Sequence, residues 1–298
     1  MTPPVAAPLE VARDAATLRQ RVASWRARGE RIAFVPTMGA LHDGHLSLVR
    51  LGRGAARRLV ASVFVNPTQF GPGEDFARYP RTPERDAELL AAAGCDLLFL
   101  PAVEGLYRPG HATFVEPAGA AEGLEGACRP GHFRGVATVV LQLLELVRPD
   151  LAVFGDKDAQ QLAVVRQLVR DLHLPVEILA GATVREADGL ALSSRNEYLS
   201  ADERRAATVL YRALCAGRDA AAAGAPPAAV RVRMRAVLTA QPLAEVEYAE
   251  VVDAVSFRPL AQWTGRAAVL PLAVRLGGTR LIDNLRIEPV GTPPAAEG

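Results

Sequence analysis

His42 and His45 stand close together in the segment PTMGALHDGH, and their type and spacing point to phosphate chemistry. An imidazole can donate a hydrogen bond to a phosphate oxygen and changes charge near neutral pH. The segment ends an apolar run and opens a predicted helix, whose first N–H groups favour anions. The alternative is a plain helix cap made by Asp43, with both histidines in solvent. The spacing favours phosphate binding over that alternative.

The glycines of this segment do not make it a standard phosphate loop. Gly39 and Gly44 allow close approach of the backbone to a ligand, and their spacing is similar to that of a Walker A loop. However, His45 and Leu46 occupy the positions where that loop needs Lys and Ser or Thr. The dinucleotide fingerprint is missing as well, because GRGAAR (52–57) lacks its third glycine and does not follow a strand.

A second candidate is Lys157 in the segment FGDKDAQQL, at the start of another predicted helix. Asp156 or Asp158 could cap that helix or bind a ribose. A lysine is disfavoured at a helix N-terminus, because its charge opposes the helix dipole. An anionic ligand would relieve this conflict, so the position favours a functional role for Lys157.

Two amides, Asn66 and Gln69, follow a predicted strand in the segment VFVNPTQFG. Pro67 fixes the turn between them. Both amides can donate and accept hydrogen bonds, which suits a hydroxyl-bearing substrate with a carboxylate. A plain Asn-Pro turn is the alternative, and the sequence alone does not decide between the two.

The segment LSSRN (192–196) places two hydroxyls, Ser193 and Ser194, before a guanidinium, Arg195. Arginine suits bidentate recognition of phosphate. The alternative is a helix-capping serine followed by a surface arginine. Ser200 and Glu203 already supply a capping box for the next helix, which makes a second cap less necessary.

These segments sit among alternating strands and helices, the pattern of βαβ units around a buried parallel sheet. Before residue 185 the apolar runs predict strands, and the amphipathic stretches between them predict helices. Beyond residue 185, helices followed by short strands predict a smaller α+β domain. We expect the first ten residues to form a loose arm. The predicted strands are 31–37, 59–65, 95–101, 151–155, 176–184, 245–253, 267–277 and 279–288, and the predicted helices are 14–28, 45–59, 82–94, 135–147, 158–172, 201–223 and 227–240.

The composition restricts the classes of partner. The 298 residues carry 34 Lys and Arg against 33 Asp and Glu, a net charge of +1. This balance excludes general electrostatic binding to nucleic acid or to an anionic membrane, so neither partner is expected. The three cysteines are far apart, with no CxxC pair, which favours a reducing compartment. No secretory signal pattern opens the chain, and we expect a cytoplasmic protein.

Six further ordered blocks carry a resemblance to a known family. They are VFVNPTQF (63–70), YPRT (79–82), GACRPGHFRGVATVV (126–140), FGDKDAQQL (154–162), DGLALSSRNEYL (188–199) and TRLIDN (279–284). Together with PTMGALHDGH, they resemble the pantoate–β-alanine ligases (pantothenate synthetases) of the HxGH nucleotidyltransferase superfamily. The resemblance covers roughly residues 10 to 290.

The resemblance implies an ATP-dependent ligase that forms a C–N bond between pantoate and β-alanine through a pantoyl adenylate, releasing AMP and pyrophosphate. It implies a Rossmann-like α/β domain (1–185), a smaller C-terminal α+β lid domain (186–290) and a homodimer that uses Mg²⁺ with ATP; we expect the tail (291–298) to be disordered. The implied catalytic residues are His42, His45, Lys157 and Arg195. The implied ATP-binding residues are Met38, Gly39, Ala40, Leu41, His42, Asp43, Gly44, His45, Gly155, Asp156, Lys157, Asp158, Val184, Leu192, Ser193, Ser194 and Arg195. Gln69, Gln161 and Asn66 would bind pantoate and β-alanine.

Other positions carry weaker expectations. Asp86 could help to hold magnesium, although a solvated charge on a helix face is the expectation we favour. Arg129 and His132 lie in a family block near the site or the subunit contact, and the sequence does not separate those roles. The chain departs from the usual family pattern at Thr68, Ala159 and Leu192, which changes pocket packing without removing a polar group assigned to chemistry.

Two other functions remain open at this level. A related transferase could move a nucleotidyl group onto a phosphorylated acceptor and would release no AMP. A non-catalytic nucleotide-binding module would keep Gly39 and Gly44 but would not need Lys157, Gln69 and Gln161 together.

Overall fold

The computed structural model describes residues 9–288, which form two compact units. The first unit contains residues 9–156 and 164–182, and the second contains residues 157–163 and 183–288. Residues 157–163 therefore group with the C-terminal part of the chain, although they lie inside the predicted βαβ region.

The first unit is built on a six-stranded parallel sheet of order β1-β4-β3-β2-β5-β6. Its strands are β1 (Glu10–Ala12), β2 (Ile32–Thr37), β3 (Arg58–Val63), β4 (Leu97–Phe99), β5 (Leu151–Gly155) and β6 (Glu177–Gly181). The chain builds outward from β2 to β3 and β4 and later returns to the other side of β2 with β5 and β6. The boundary between β2 and β5 is thus a topological switch point, where doubly wound proteins bind ligands beyond the carboxyl ends of the strands.

Helices cover this sheet, and the predicted α/β class is confirmed. Phe34, Val60 and Leu98 are buried on the central strands, as expected for a parallel sheet packed on both faces. The helices are α1 (Ala15–Arg26), α2 (Asp43–Ala55), α3 (Pro83–Ala92), α4 (Val103–Leu106), α5 (Leu124–Cys128), α6 (His132–Val147) and α7 (Ala159–Asp171), the last of which begins in the second unit.

Several boundaries differ from the predictions, among them 95–101, 176–184, 201–223 and 245–253, of which the first two are shorter strands and the last two are each divided into two elements. Three further differences have clear physical reasons. The expected loose arm is wrong at Glu10, where β1 begins and pairs with β4, because edge pairing satisfies backbone groups whatever the side chains. Helix α2 begins at Asp43, earlier than predicted, because a side chain before it caps the first turn. Helix α6 begins at His132 rather than at residue 135, because Gly131 takes a left-handed φ of 82° and turns the chain into the helix there. Residues 1–8 lie outside the described residues.

The second unit combines helices with an antiparallel sheet, in agreement with the predicted α+β pattern. Strands β10, β9 and β7 are adjacent in that order, and β8 also pairs with β9. Gly217 lies against Met234, where a Cβ atom would meet the Met234 Cγ at 2.6 Å. The elements are α8 (Ala201–Ala206), α9 (Val209–Ala222), α10 (Pro227–Thr239), β7 (Ala244–Ala249), β8 (Val252–Asp253), β9 (Ala268–Leu276) and β10 (Thr279–Ile287). The tail 291–298, expected to be disordered, lies outside the described residues.

Two further features of the described part of the chain are the length and polarity of its helices and the state of its cysteines. None of the helices between residues 9 and 288 is long and apolar enough to cross a membrane. Cys95, Cys128 and Cys215 are free thiols. Burial raises the pKa of the Cys95 thiol to about 12, so this side chain behaves as a core residue rather than a nucleophile.

Candidate active site

The turn after β2 is held by the side chains beneath it. The Thr37 hydroxyl donates to the Ser62 carbonyl at 2.7 Å and accepts the Gly39 N–H at 3.2 Å. Gly39 and Ala40 both adopt left-handed φ values, 87° and 50°. Alanine adopts such a φ only at a cost, so the turn needs support from its surroundings.

Asp86 supplies that support. Its carboxylate accepts the Ala40 N–H at 3.0 Å, the Leu41 N–H at 2.8 Å and the Thr82 hydroxyl at 3.2 Å. Only 1% of Asp86 is exposed, so the expectation of a solvated charge on a helix face is wrong. The reason is tertiary, because the side of α3 that carries Asp86 packs against the β2 turn. Glycine is required at position 39, where a Cβ atom would stand 2.9 Å from the Asp86 Oδ2.

The same contacts argue against Asp86 as a magnesium ligand. Both of its carboxylate oxygens already accept backbone N–H bonds. Within residues 9–288, no group of three His, Cys, Asp or Glu side chains could hold a metal ion. The residues present therefore do not form a protein cage for Mg²⁺, which commonly enters such sites on substrate phosphates.

His42 and His45 cap α2 together. The Gly44 N–H donates to His42 Nδ1 at 3.2 Å, and the His42 N–H donates to His45 Nδ1 at 3.4 Å. The alternative to phosphate binding, a cap made by Asp43 with both histidines in solvent, is wrong, because the capping side chain is His42 and both rings are half-buried. The two rings are half-buried, with centroids 4.1 Å apart. Because both Nδ1 atoms accept, the neutral rings carry their protons on Nε2, which makes each Nε2–H a donor.

Asn66 is fully buried and organises the turn after β3. Its Oδ1 accepts the Tyr107 hydroxyl at 2.8 Å and the Thr68 hydroxyl at 3.0 Å. Its two N–H bonds go to Gln69 Oε1 and the Gly135 carbonyl, both at 3.1 Å. Asn66 therefore has no donor left for a ligand and instead orients Gln69.

Gln69 connects the turns after two neighbouring strands. Its Nε2 donates to the Met38 sulfur at 2.8 Å, while its Oε1 accepts from Asn66. Strands β2 and β3 pair in parallel, with Thr37 opposite Val63. The histidine turn and the Asn66–Gln69 turn thus follow adjacent strands at their carboxyl ends, within one unit.

Lys157 belongs to the second unit, where the chain leaves β5. Its carbonyl accepts the Asn284 Nδ2–H at 2.8 Å, and its Nζ lies 3.9 Å from Asp158 Oδ1. Lys157 and Ser193 line the same small pocket of this unit, together with Asp283. Gln161 follows one turn later on α7, while Gly155 ends β5 opposite Gly181 of β6.

The LSSRN segment forms a short 3₁₀ turn, Ser194–Tyr198. Ser193 caps it by accepting the Arg195 N–H at 3.3 Å, so the alternative of a capping serine in this segment is present even though a second cap was expected to be less necessary. The box formed by Ser200 and Glu203 on α8 is confirmed, and both caps are present. The Leu192 N–H donates to the Val184 carbonyl at 3.0 Å, which brings these two predicted ATP-binding positions together.

Arg185 and Asp283 fix the loop after residue 184 in the second unit, and neither was predicted as a site residue. Arg185 binds Asp283 through two hydrogen bonds of 2.6 and 2.9 Å and stacks on the Tyr211 ring at 4.3 Å. Burial raises the pKa of Asp283 despite this arginine. The block TRLIDN was a signal for Asp283 and Asn284, but only the fold shows their partners.

The fold and the site together define a class of protein. It is an α/β protein that presents backbone-anchored polar turns at the switch point of a parallel sheet, where nucleotides bind in doubly wound folds. Comparison with known proteins then narrows the class. A family model described as pantoate-beta-alanine ligase matches residues 10–286. The chain belongs to the pantoate–β-alanine ligase family.

Individual relatives agree with that assignment. The pantothenate synthetase of Herpetosiphon aurantiacus is 53% identical over 270 residues, which are 90% of this chain and 98% of that protein. The crystal structure of pantothenate synthetase from Thermus thermophilus has a TM-score of 0.88 at 50% identity, covering 93% of this chain and 99% of that one. The pantoate-beta-alanine ligase from Francisella tularensis, complexed with β-γ ATP and β-alanine, has a TM-score of 0.78 at 32% identity, covering 93% and 97%.

Proposed function

We propose that this chain condenses pantoate with β-alanine to pantothenate at the expense of ATP. The observation that carries the proposal is the pairing of two turns on β2 and β3, with capping histidines on one and the anchored Gln69 amide on the other. Membership of the ligase family supports it, as does the relative from Francisella tularensis that holds β-γ ATP and β-alanine.

The first step makes an adenylate. A carboxylate oxygen of pantoate attacks the α-phosphorus of ATP, the bond to the bridging oxygen breaks, and pyrophosphate leaves. Charge grows on the leaving pyrophosphate, so donors placed in advance lower the barrier. His42 and His45 would supply Nε2–H donors, and Lys157, Ser193, Ser194 and Arg195 would supply further donors and positive charge. Magnesium enters with ATP as part of the substrate.

The second step consumes the adenylate. The free amine of β-alanine attacks the acyl carbon, the bond to the phosphate oxygen breaks, and AMP leaves while the amine nitrogen loses a proton. No side chain needs to bond covalently to substrate, so the enzyme contributes position and charge neutralisation. Gln69 and Gln161 would hold the hydroxyl groups of pantoate.

The family resemblance also supports finer proposals. We propose that the enzyme works as a homodimer in the cytoplasm and takes ATP as its magnesium complex. Analytical ultracentrifugation of the purified chain tests the first of these directly.

One assay separates this function from its rivals. Pantoate should support exchange of labelled pyrophosphate into ATP, and β-alanine should then release AMP. A transferase that uses a phosphorylated acceptor would form no AMP, and a non-catalytic module would do neither. Absence of both activities in folded protein would overturn the proposal.

A further inference from the structure

The first turn of α6 sits directly on the turn that carries Gln69. A Cβ atom on Gly135 would stand 2.3 Å from the Thr68 carbonyl oxygen, so only glycine allows this approach. The Gly135 carbonyl accepts one N–H of Asn66 at 3.1 Å. The helix start and the turn are therefore in backbone contact.

His132, on the same helix turn, reaches the backbone of Gln69. Its Nδ1 lies 2.9 Å from the Gln69 carbonyl oxygen, and its Nε2 lies 3.2 Å from Nη1 of Arg129. A guanidinium can only donate, so Nε2 must accept and the proton must sit on Nδ1. His132 therefore donates to Gln69 in one fixed tautomer.

Arg129 is itself held in place. It binds Glu74 through two hydrogen bonds of 2.8 and 2.6 Å, and Glu125 lies 3.7 Å away. Its Nη2 also approaches the Gln69 carbonyl at 3.3 Å. Burial, and then the charge of Arg129, lower the pKa of His132 to about 4, so the ring is neutral at physiological pH. Charge and geometry agree on the same tautomer.

The Gln69 side chain is fixed from the other side. Asn66 donates to its Oε1, and its Nε2 donates to the Met38 sulfur. With the carbonyl held by His132 and the amide held by Asn66, both ends of the residue are set before a ligand arrives. Neither His132 nor Arg129 is needed for the phosphate chemistry proposed above.

We propose that His132, oriented by Arg129, is a positioning residue for pantoate recognition, acting through the main chain of Gln69. The identity of the ligand rests on the proposed function, whereas the positioning of Gln69 does not. The sequence leaves the role of this pair undecided, and the proposal assigns it to the substrate side on the strength of its contacts with Gln69.

Three variants test the proposal. His132→Leu removes both ring nitrogens, whereas His132→Asn keeps a donor near the position of Nδ1. Thr138→Val is the matched control, because it removes a buried hydroxyl from the same helix that accepts the Val115 N–H and donates to the Arg134 carbonyl, away from the turn.

Two readouts are measured on each full-length variant. Hydrogen exchange reports the order of the turn, because the amides of Thr68, Gln69 and Phe70 are bonded within it. Steady-state pyrophosphate exchange gives the KM values for pantoate and ATP separately. For His132→Leu we expect hydrogen exchange at residues 68–70 to become about tenfold faster and KM for pantoate to rise about tenfold, since this is the usual effect of losing one hydrogen bond. KM for ATP should not change.

His132→Asn should recover most of both losses, and Thr138→Val should match the wild type in both. Each of three results would overturn the proposal. In His132→Leu, these are equal rises in KM for pantoate and ATP, or unchanged hydrogen exchange at residues 68–70. The third is a His132→Asn variant that recovers neither property. If wild-type protein shows no pantoate-dependent exchange, the proposed function falls and pantoate recognition falls with it. The hydrogen-exchange result still shows in that case whether His132 positions Gln69.

Discussion

At the scale of single residues, the proposed function gives the two rings of the histidine turn a second task besides capping the helix. Each Nδ1 accepts a backbone N–H and helps to start α2, which leaves the proton on Nε2. The nitrogens of His42 and His45 that cap the helix are therefore not the ones that the proposed catalysis would use. This division makes the two tasks separable by substitution.

His45→Asn should keep the cap but lose the Nε2 donor, because its Oδ1 falls near the position of Nδ1. We expect pantoate-dependent adenylation to slow by about 10²-fold, the scale for one preorganised donor, as in His45→Ala. His45→Gln, which extends an N–H farther out, should recover part of the rate. Near wild-type turnover in His45→Asn would show that capping is the only role of this ring.

Asp86 gives a second residue-scale prediction. In Asp86→Asn only one oxygen remains, so the N–H of Ala40 or Leu41 faces an amide donor, and an unsatisfied buried N–H costs about 1–3 kcal/mol. We expect KM for ATP to rise about tenfold while KM for pantoate changes little. Glu84→Gln, the same charge change on an exposed residue of the first turn of α3, is the control. Equal kinetics for the two variants would contradict the role of Asp86.

The neutral state of His132 predicts a pH effect on stability. Its pKa is about 4 when folded and 6.5 otherwise, so the unfolded chain binds the extra proton between these values. The contribution of the buried neutral ring to the free energy of unfolding is therefore complete above about pH 6.5 and is lost as the pH falls toward 4. The charged groups that face the ring, Arg129, Glu125 and Glu74, are present in every variant compared.

Urea unfolding at pH 7 and pH 5 measures this effect. The free energy of unfolding of the wild type should fall between these values by roughly 1–2 kcal/mol more than that of His132→Asn. If the free energy of unfolding fell equally in the wild type and in His132→Asn, the ring would take up its proton in the folded state as readily as in the unfolded chain.

At the scale of secondary-structure elements, the ends of strands and the starts of helices carry the site. Apolar runs located the central strands β2, β3 and β5 almost to the residue, because burial on both faces leaves a continuous hydrophobic signal. The start of α6 was placed too late, because its first turn is polar and only the backbone at Gly131 marks it.

The same scale explains which site residues the sequence could predict. His42, His45 and Gln69 could be proposed from the sequence because each lies in the polar segment that follows a strand. The supporting groups could not be, since Glu74 and Tyr107 reach the site only through contacts distant in sequence. The local sequence pattern does not reveal such long-range contacts. Asp86 was therefore expected to be a surface charge.

Gly135→Ala tests the contact between α6 and the Gln69 turn. Helix propensity favours alanine by about 1 kcal/mol, but the new Cβ would meet the Thr68 carbonyl at 2.3 Å, so the backbone must shift. We expect lower stability and a higher KM for pantoate. Gly54→Ala in α2 has no atom within 4 Å of its Cβ and should hold or gain stability. Similar thermal shifts in the two variants would contradict the close contact.

At the scale of the whole molecule, a net charge of +1 conceals an uneven distribution. The proposed ATP-side cations, Lys157 and Arg195, belong to the second unit, whereas the capping histidines belong to the first. The sequence placed the boundary near residue 185, but the structure also groups residues 157–163 with the C-terminal part. A contact explains the difference, because Asn284 binds the carbonyl of Lys157.

The central claim is that the carboxylate of pantoate attacks ATP at the α-phosphorus, and isotope transfer tests it directly. Pantoate labelled with ¹⁸O in its carboxylate is turned over with ATP and β-alanine, and the products are examined by mass spectrometry. The adenylate route predicts one labelled oxygen in AMP and none in pyrophosphate. Label in inorganic phosphate, or AMP without label, would contradict it.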